Sequence, residues 1–242
     1  MKYARFRVHS TDNIRVGAFH QDHVQTEDGA SFPLTDVTLL APVVPGKIVC
    51  VGKNYADHAA EFGGDVPEKP LLFFKPPSAL NNPGDPIHLP DSARVDYEGE
   101  IAVVISKTCK NVSEADAHSV IWGYTCFNDV SDRIAQKWEG NWVRAKGFDT
   151  SGCLGPVLVT PDELPDVLEV TTRLNGEVKQ NGNTAQLAFS IPYLISVISG
   201  VMTLERGDVI ATGTPAGVGP LASGDVVEVE IPGVGILSNP VA

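Results

Sequence analysis

The sequence predicts a β-dominated α+β fold, and three observations carry that prediction. Short segments of alternating or all-apolar residues follow one another in runs, without the regular strand–helix alternation of a doubly wound parallel sheet. Turn dipeptides introduce many of them: Asn175-Gly176, Gly207-Asp208, Gly224-Asp225 and Pro232-Gly233. Helical patterns are few and short. With 242 residues and 43% hydrophobic content, the chain has material for one sizeable core, or for a main domain with a small appendage.

In chain order, Lys2–Val8, Ile14–Phe19 and His23–Thr26 read as short strands with polar turns. Pro42, Pro45 and Gly46 then punctuate the chain, so a boundary is expected near residue 45. Residues 1–45 would form a small N-terminal β appendage, and residues 46–242 the main domain. Ile48–Gly52 reads as a buried strand. Asn54 to Phe62 reads as a short helix, capped by Asn54 and stopped by Gly63-Gly64. Leu71–Phe74 is a strand inside a proline-broken segment. Strands follow at 97–105, 121–127 and 154–159, with helices over 113–120 and from Val130 to Trp138. Asn175-Gly176 joins Val170–Leu174 to Glu177–Gln180 as a hairpin. Ile191 to Ser199 is helical. Two similar beats, Leu204-x-x-Gly207-Asp208 and Leu221-x-x-Gly224-Asp225, each lead into a strand.

A formal net charge of −12 argues against a basic nucleic-acid surface. It does not exclude anionic small molecules, because a local cation outweighs a distant field. Cys50, Cys109, Cys126 and Cys153 are scattered, without a CxxC pattern. They read as free thiols, and a reducing, cytoplasmic setting is expected. The N-terminus lacks an apolar signal-peptide region, and no apolar run is long enough to span a bilayer.

The chemistry centres on Val95-Asp96-Tyr97-Glu98-Gly99-Glu100-Ile101. In a strand, Asp96, Glu98 and Glu100 share one face, and the run then turns wholly apolar into a core. Two carboxylates roughly 7 Å apart repel by about 2 kcal/mol at an effective dielectric near 20. A hard divalent cation would offset that repulsion; a solvated acidic face is the alternative. Asp129, at the end of a strand, is either the third hard ligand or the cap of the next helix. Three carboxylates without Cys or His suit Mg²⁺ or Mn²⁺. His58 and Glu61, at i and i+3, share one helix face, which permits a carboxylate-oriented general base. Gly52, Gly63 and Gly64 would suit a lid over the substrate. Lys146 is expected between strands, either solvated or stabilising an oxyanion. The glycine-rich turn Thr212–Gly219 fits neither a Walker nor a dinucleotide pattern, but it can present Thr214 and backbone N–H groups to a carboxylate.

Taken in order, Gly52-Lys53-Asn54-Tyr55-Ala56-Asp57-His58, Phe74-Lys75-Pro76, Asp96-Tyr97-Glu98-Gly99-Glu100, Gly123-Tyr124 through Asn128-Asp129, Lys146-Gly147-Phe148-Asp149, Asn175-Gly176-Glu177 and Gly207–Gly219 resemble the fumarylacetoacetate hydrolase family. The resemblance covers about residues 46–240. It implies a mixed β-roll catalytic domain and commonly a homodimer. It assigns Glu98, Glu100 and Asp129 to Mg²⁺ or Mn²⁺, Lys146 to the family's catalytic lysine, and His58 and Glu61 to the lid pair of the acylpyruvate hydrolase branch. It places Arg133, Gln136 and Thr214 at substrate contacts. Members often read Asn-Asp-x-Thr-Ala-Arg-Asp where this chain has Asn128-Asp129-Val130-Ser131-Asp132-Arg133-Ile134, so Asp132 is expected to add charge near the site.

The expected function is therefore a metal-dependent enzyme acting on a small-molecule 2-oxo acid, with no nucleic acid or membrane as partner. Hydrolysis of a C–C bond in acylpyruvates leads. Oxaloacetate decarboxylation and isomerisation of a 2-hydroxy-dienedioate of aromatic catabolism use the same enolate. A non-catalytic protein holding a structural ion is the alternative of a different class.

Overall fold

The computed structural model describes residues 1–61 and 63–242. Strands dominate, in three sheets. The largest has twelve strands. At its centre lie Lys2–Val8, Gly152–Val159, Ile121–Asp129, Gly99–Ile105, Val209–Ala211, Ile48–Gly52 and Leu71–Lys75, side by side. Neighbours run antiparallel except Val209–Ala211 and Ile48–Gly52, which pair in parallel. The first strand is thus hydrogen-bonded into the central sheet, with Lys2 opposite Val159.

Gly99–Ile105 shows how the pleat builds two cores. Ile101, Val103 and Ile105 join one buried cluster, whereas Ala102 and Val104 join another with Ile48, Cys50, Phe73 and Phe127. A strand apolar on both faces has to lie inside, and all seven of its residues are buried. The first cluster is closed by a four-stranded antiparallel sheet, in the order Glu177–Asn183, Glu169–Leu174, Val226–Ile231, Gly235–Pro240. The hairpin at Asn175-Gly176 forms as expected; both residues have the positive φ (53° and 81°) that such a tight turn requires. Helix Ile191–Val201 packs Leu194, Ile195 and Ile198 onto the same cluster.

Several local expectations are corrected. The strand expected over 97–105 is interrupted at Glu98: Val95–Tyr97 belongs to a small separate sheet with Ser131–Asp132 and Gly219–Pro220, and Gly99–Ile105 to the central one. The helix expected over 113–120 is a 3₁₀ helix, Glu114–Val120, capped by Ser113. The helix expected from Val130 starts at Arg133, because Ser131–Asp132 pairs first as a strand. The helix beginning near Asn54 is Ala56–Glu61, and Asn54 does not cap it. The Asn54 side chain instead accepts from Phe189 N (2.7 Å) and donates to Thr212 O (2.8 Å), so it ties the helix entry to the strand exit at Ala211. Phe62, the last residue of that expected helix, lies outside the described residues. The four cysteines are free thiols, and no described helix is long and apolar enough to cross a membrane.

Candidate active site

The site lies where two adjacent central strands reach their polar ends. Gly99 pairs with Asn128 and Glu100 with Phe127, so the start of one strand and the end of the other bring Glu98, Glu100 and Asp129 together. One carboxylate oxygen from each lies within 4.8 Å of the other two, and all three residues are buried. Gly99 sits between the two glutamates and faces the second sheet. A Cβ there would overlap Thr172 Oγ1, so the bare backbone lets strand Glu169–Leu174 close against the back of the site.

Asp129 is not the cap of the following helix. Asp132 performs that role, accepting from Ile134 N (2.8 Å) and Ala135 N (3.0 Å). The charge of Asp132 is therefore spent on the helix start and on Ser92, whose hydroxyl donates to it at 2.7 Å. Lys146 lies between strands as expected, at the end of a short helix, Val143–Lys146, and it is buried rather than solvated. Its Nζ reaches Glu98 Oε2 and Asp129 Oδ2, each at 2.8 Å.

Lys75 had no assigned role in the sequence reading. Its Nζ is 2.8 Å from Asp129 Oδ1 and donates to Lys146 O (2.6 Å), Val130 O (3.0 Å) and Ser151 Oγ (2.9 Å). The signal was the period-two spacing from buried Phe73, which points Lys75 inward just before Pro76. Arg133 bridges two carboxylates, Nε to Asp96 Oδ2 (2.8 Å) and Nη2 to Glu98 Oε1 (2.6 Å), and its Nη1 donates to Gln136 Oε1 (2.9 Å). Asp96 also holds Arg94 at 2.9 and 3.0 Å.

The three carboxylates differ electrostatically. Burial would push the Glu98 carboxyl up, but Lys146, Arg133 and His58 outweigh it and hold Glu98 well below the usual range. Glu100 goes the other way. Burial, then the charges of Asp129 and Glu98, push it well above the carboxylate range; the hydrogen bond it accepts from Gly213 N (2.8 Å) opposes this without reversing it. Among the described residues Glu100 has no ion pair. Burial also pushes the nearby Cys50 thiol well up, which leaves it protonated and unsuited to ligation. Three hard oxygen donors, one of them a buried carboxylate without a cation, fit a divalent cation such as Mg²⁺ or Mn²⁺.

A cavity of about 510 Å³ opens over this floor. Glu61, Glu98, Glu100, Arg133, Gln136, Lys146 and Thr214 line it, so most of the expected site residues meet in one space. Thr214 is held by Gln180, whose Nε2 donates to its Oγ1 (2.7 Å), and it donates in turn to Gly99 O (2.9 Å). On the lid helix, His58 Nδ1 and Glu61 Oε2 are 3.2 Å apart, as the i, i+3 spacing requires. Glu61 Oε1 accepts from Gly217 N at 3.1 Å, and Tyr97 Oη donates to Gly217 O at 3.0 Å. Buried His58 is not among the residues lining the cavity.

Comparisons with known proteins identify the family. Residues 47–242 match the family model described as fumarylacetoacetate (FAA) hydrolase C-terminal. The oxaloacetate tautomerase YisK of Bacillus subtilis is 44% identical over 223 residues, covering 86% of this chain and 74% of that protein. The crystal structure of a 5-carboxymethyl-2-hydroxymuconate delta-isomerase from Mycobacterium smegmatis is 45% identical with a TM-score of 0.92, covering 100% of this chain and 98% of that one. A maleylpyruvate hydrolase from Sphingobium sp. SYK-6, solved with manganese(II) and pyruvate, is 32% identical with a TM-score of 0.84, covering 100% and 99%. The chain belongs to the fumarylacetoacetate hydrolase family, and its β-dominated α+β fold is that family's fold.

Proposed function

We propose that the protein is a Mg²⁺- or Mn²⁺-dependent enzyme acting on small, enolisable 2-oxo acids. The observation that carries this reading is Lys146 Nζ bridging Glu98 and Asp129 at the wall of a cavity also lined by Glu100, which forms no ion pair among the described residues. Glu98, Glu100 and Asp129 would hold the metal. When bound, it supplies Lewis acidity and a template for the substrate's carboxylate and adjacent oxo oxygen.

The chain's own groups account for the rest. The Lys146 ammonium, kept protonated by Asp129 and Glu98 against its burial, stabilises negative charge developing on an enolate oxygen. Arg133, braced by Asp96 and Gln136, faces the cavity as a fixed guanidinium for an anionic group. Thr214, fixed by Gln180, offers its hydroxyl oxygen at the same wall. In C–C hydrolysis of an acylpyruvate, His58 oriented by Glu61 takes a proton from water. The hydroxide adds to the distal carbonyl carbon. The C–C electron pair leaves with pyruvate as its enolate, which is then protonated.

A second reading, tautomerisation or isomerisation by a proton shift without attacking water, is favoured because Glu61 and not His58 lines the cavity. The names of the relatives at 44% and 45% identity also favour it.

The test is a panel of acylpyruvates, oxaloacetate and a 2-hydroxy-dienedioate, assayed with Mg²⁺, with Mn²⁺ and after chelation. We expect metal-dependent turnover that chelation abolishes. His58→Ala should remove hydrolysis and spare a proton shift or a decarboxylation. A panel without turnover of any member under any condition would leave only a metal-holding binding protein.

A further inference from the structure

We propose that Gln180, which does not line the cavity, is a positioning residue of the site: its carboxamide holds Gly99 between the two glutamates and sets the direction of the Thr214 hydroxyl. The inference rests on the reading of Glu98 and Glu100 as metal ligands and adds the residue that fixes their spacing from behind.

Gly99 needs partners that no strand supplies. Strand Val209–Ala211 pairs with Ala102, Val103 and Val104, and its ladder stops there. On the other side, Asp129 N donates to Glu98 O (2.9 Å), not to Gly99. Two side chains stand in for a strand. Gly99 N donates to Gln180 Oε1 at 3.0 Å, and Thr214 Oγ1 donates to Gly99 O at 2.9 Å. Gln180 Nε2 closes the ring, donating to Thr214 Oγ1 and to Pro215 O, each at 2.7 Å. These directions are forced. The Gly99 N–H decides which end of the amide is oxygen, so the nitrogen faces Thr214 and Pro215. The Gly99 carbonyl only accepts, so the Thr214 hydrogen goes to it. What Thr214 keeps for the cavity it lines is one lone pair and no hydrogen.

The surrounding backbone is shaped for this ring. A Cβ on Gly182 would stand 2.8 Å from Pro215 Cβ, and a Cβ on Gly217 would overlap Lys179 O. Strand Glu177–Asn183 and the turn after Thr214 therefore lie backbone against backbone, close enough for one side chain to span them. Gln180 itself is 1% exposed. An apolar side chain would serve that place if packing were its whole task, because a buried amide costs free energy unless each polar end is met. Here both ends are met, one by the spacer of the glutamate pair and the other by the cavity wall, so one rigid group sets the two together.

The experiment measures Mg²⁺ binding by calorimetry, and kcat and KM at saturating Mg²⁺ for the 2-oxo acid turned over fastest. The proteins are the parent, Gln180→Met, Gln180→Glu, Thr214→Val, and Gln180→Met combined with Thr214→Val. Methionine keeps the length of glutamine without its hydrogen bonds. We expect Gln180→Met to weaken Mg²⁺ binding roughly 10-fold and to raise KM roughly 10-fold, with a smaller change in kcat. Gln180→Glu keeps the acceptor for Gly99 N, so its Mg²⁺ affinity should stay within about 3-fold of the parent's while KM still rises. Thr214→Val should raise KM, and adding Gln180→Met to it should raise KM by less than about 2-fold more, because Gln180 reaches the ligand through Thr214. Effects on KM that multiply in the double variant, or a Gln180→Met chain with the parent's Mg²⁺ affinity and KM, make Gln180 a packing residue and overturn the inference. If Gln180→Met does not fold, Gln180→Glu decides, and a KM equal to the parent's overturns it. A parent that binds Mg²⁺ but turns over no 2-oxo acid overturns the proposed function alone, and the calorimetric arm still decides the inference. A parent that binds no Mg²⁺ overturns both.

Discussion

The floor and the lid of the cavity are built in opposite ways. The floor is charge set into a sheet. Glu98, Glu100, Asp129, Lys75 and Lys146 are all buried, and each but Glu100 is locked by ion pairs of 2.6–2.8 Å. The lid is one helix of six residues, Ala56–Glu61, with only His58 and Ala59 buried. A helix that short has no stability of its own, and the Glu61 side chain ties it to the rest through Gly217 N. The difference separates two tasks. Ligand geometry is over-determined by strands, whereas the group proposed to handle water rides on a cover held by a few polar contacts.

Three substitutions would break or sharpen that contrast. The largest effect is expected on the floor. Lys75→Met leaves Asp129 buried against Lys146 alone, and removing one partner from a buried ion pair costs about 3–5 kcal/mol. Chemical denaturation of the metal-free protein should show a loss of that size, and a midpoint close to the parent's would show that the floor is less tightly coupled than its geometry implies. On the lid, His58→Ala should cut hydrolytic kcat at least ~10²-fold while shifting global stability by only about 1 kcal/mol. A large stability loss would make the lid part of the core. The smallest effect concerns Glu100. Its folded carboxyl is raised above the ordinary 4.5 by burial, then by Asp129 and Glu98, so the folded state binds the proton more tightly than the unfolded one. That group's contribution to stability is present below pH 4.5 and is lost as pH rises through the folded value. In the metal-free protein, Glu100→Gln should therefore gain on the parent in thermal midpoint as pH increases, yet lose Mg²⁺ affinity by calorimetry. A constant offset across pH would mean that Glu100 carries no such strain.

Local chemistry was legible in the sequence wherever it decides the outcome. Asn175-Gly176 fixes its hairpin because few other residue pairs take two positive φ angles. The change from Glu100 to the all-apolar Ile101–Ile105 announces a strand entering a core. The carboxylate triad was legible as spacing plus a strand end, although its assembly depends on the pairing of Glu100 with Phe127, which no local pattern states. Lys75 was hidden because a lysine next to proline reads as a solvated strand end. Its burial follows from Asp129, fifty-four residues away along the chain. Asn54 misled for a related reason: an asparagine before a helix reads as a cap, but here Phe189 and Thr212 claim its amide.

Gly99 sets a condition on anyone who would borrow this site. The Glu98–Glu100 pair looks portable, two acids flanking a spacer on one strand. Yet the spacer position is filled from outside by Thr172, so any side chain there would prise the sheets apart. A scaffold that receives the two glutamates must also receive the naked backbone between them and the strand Glu169–Leu174 that leans against it.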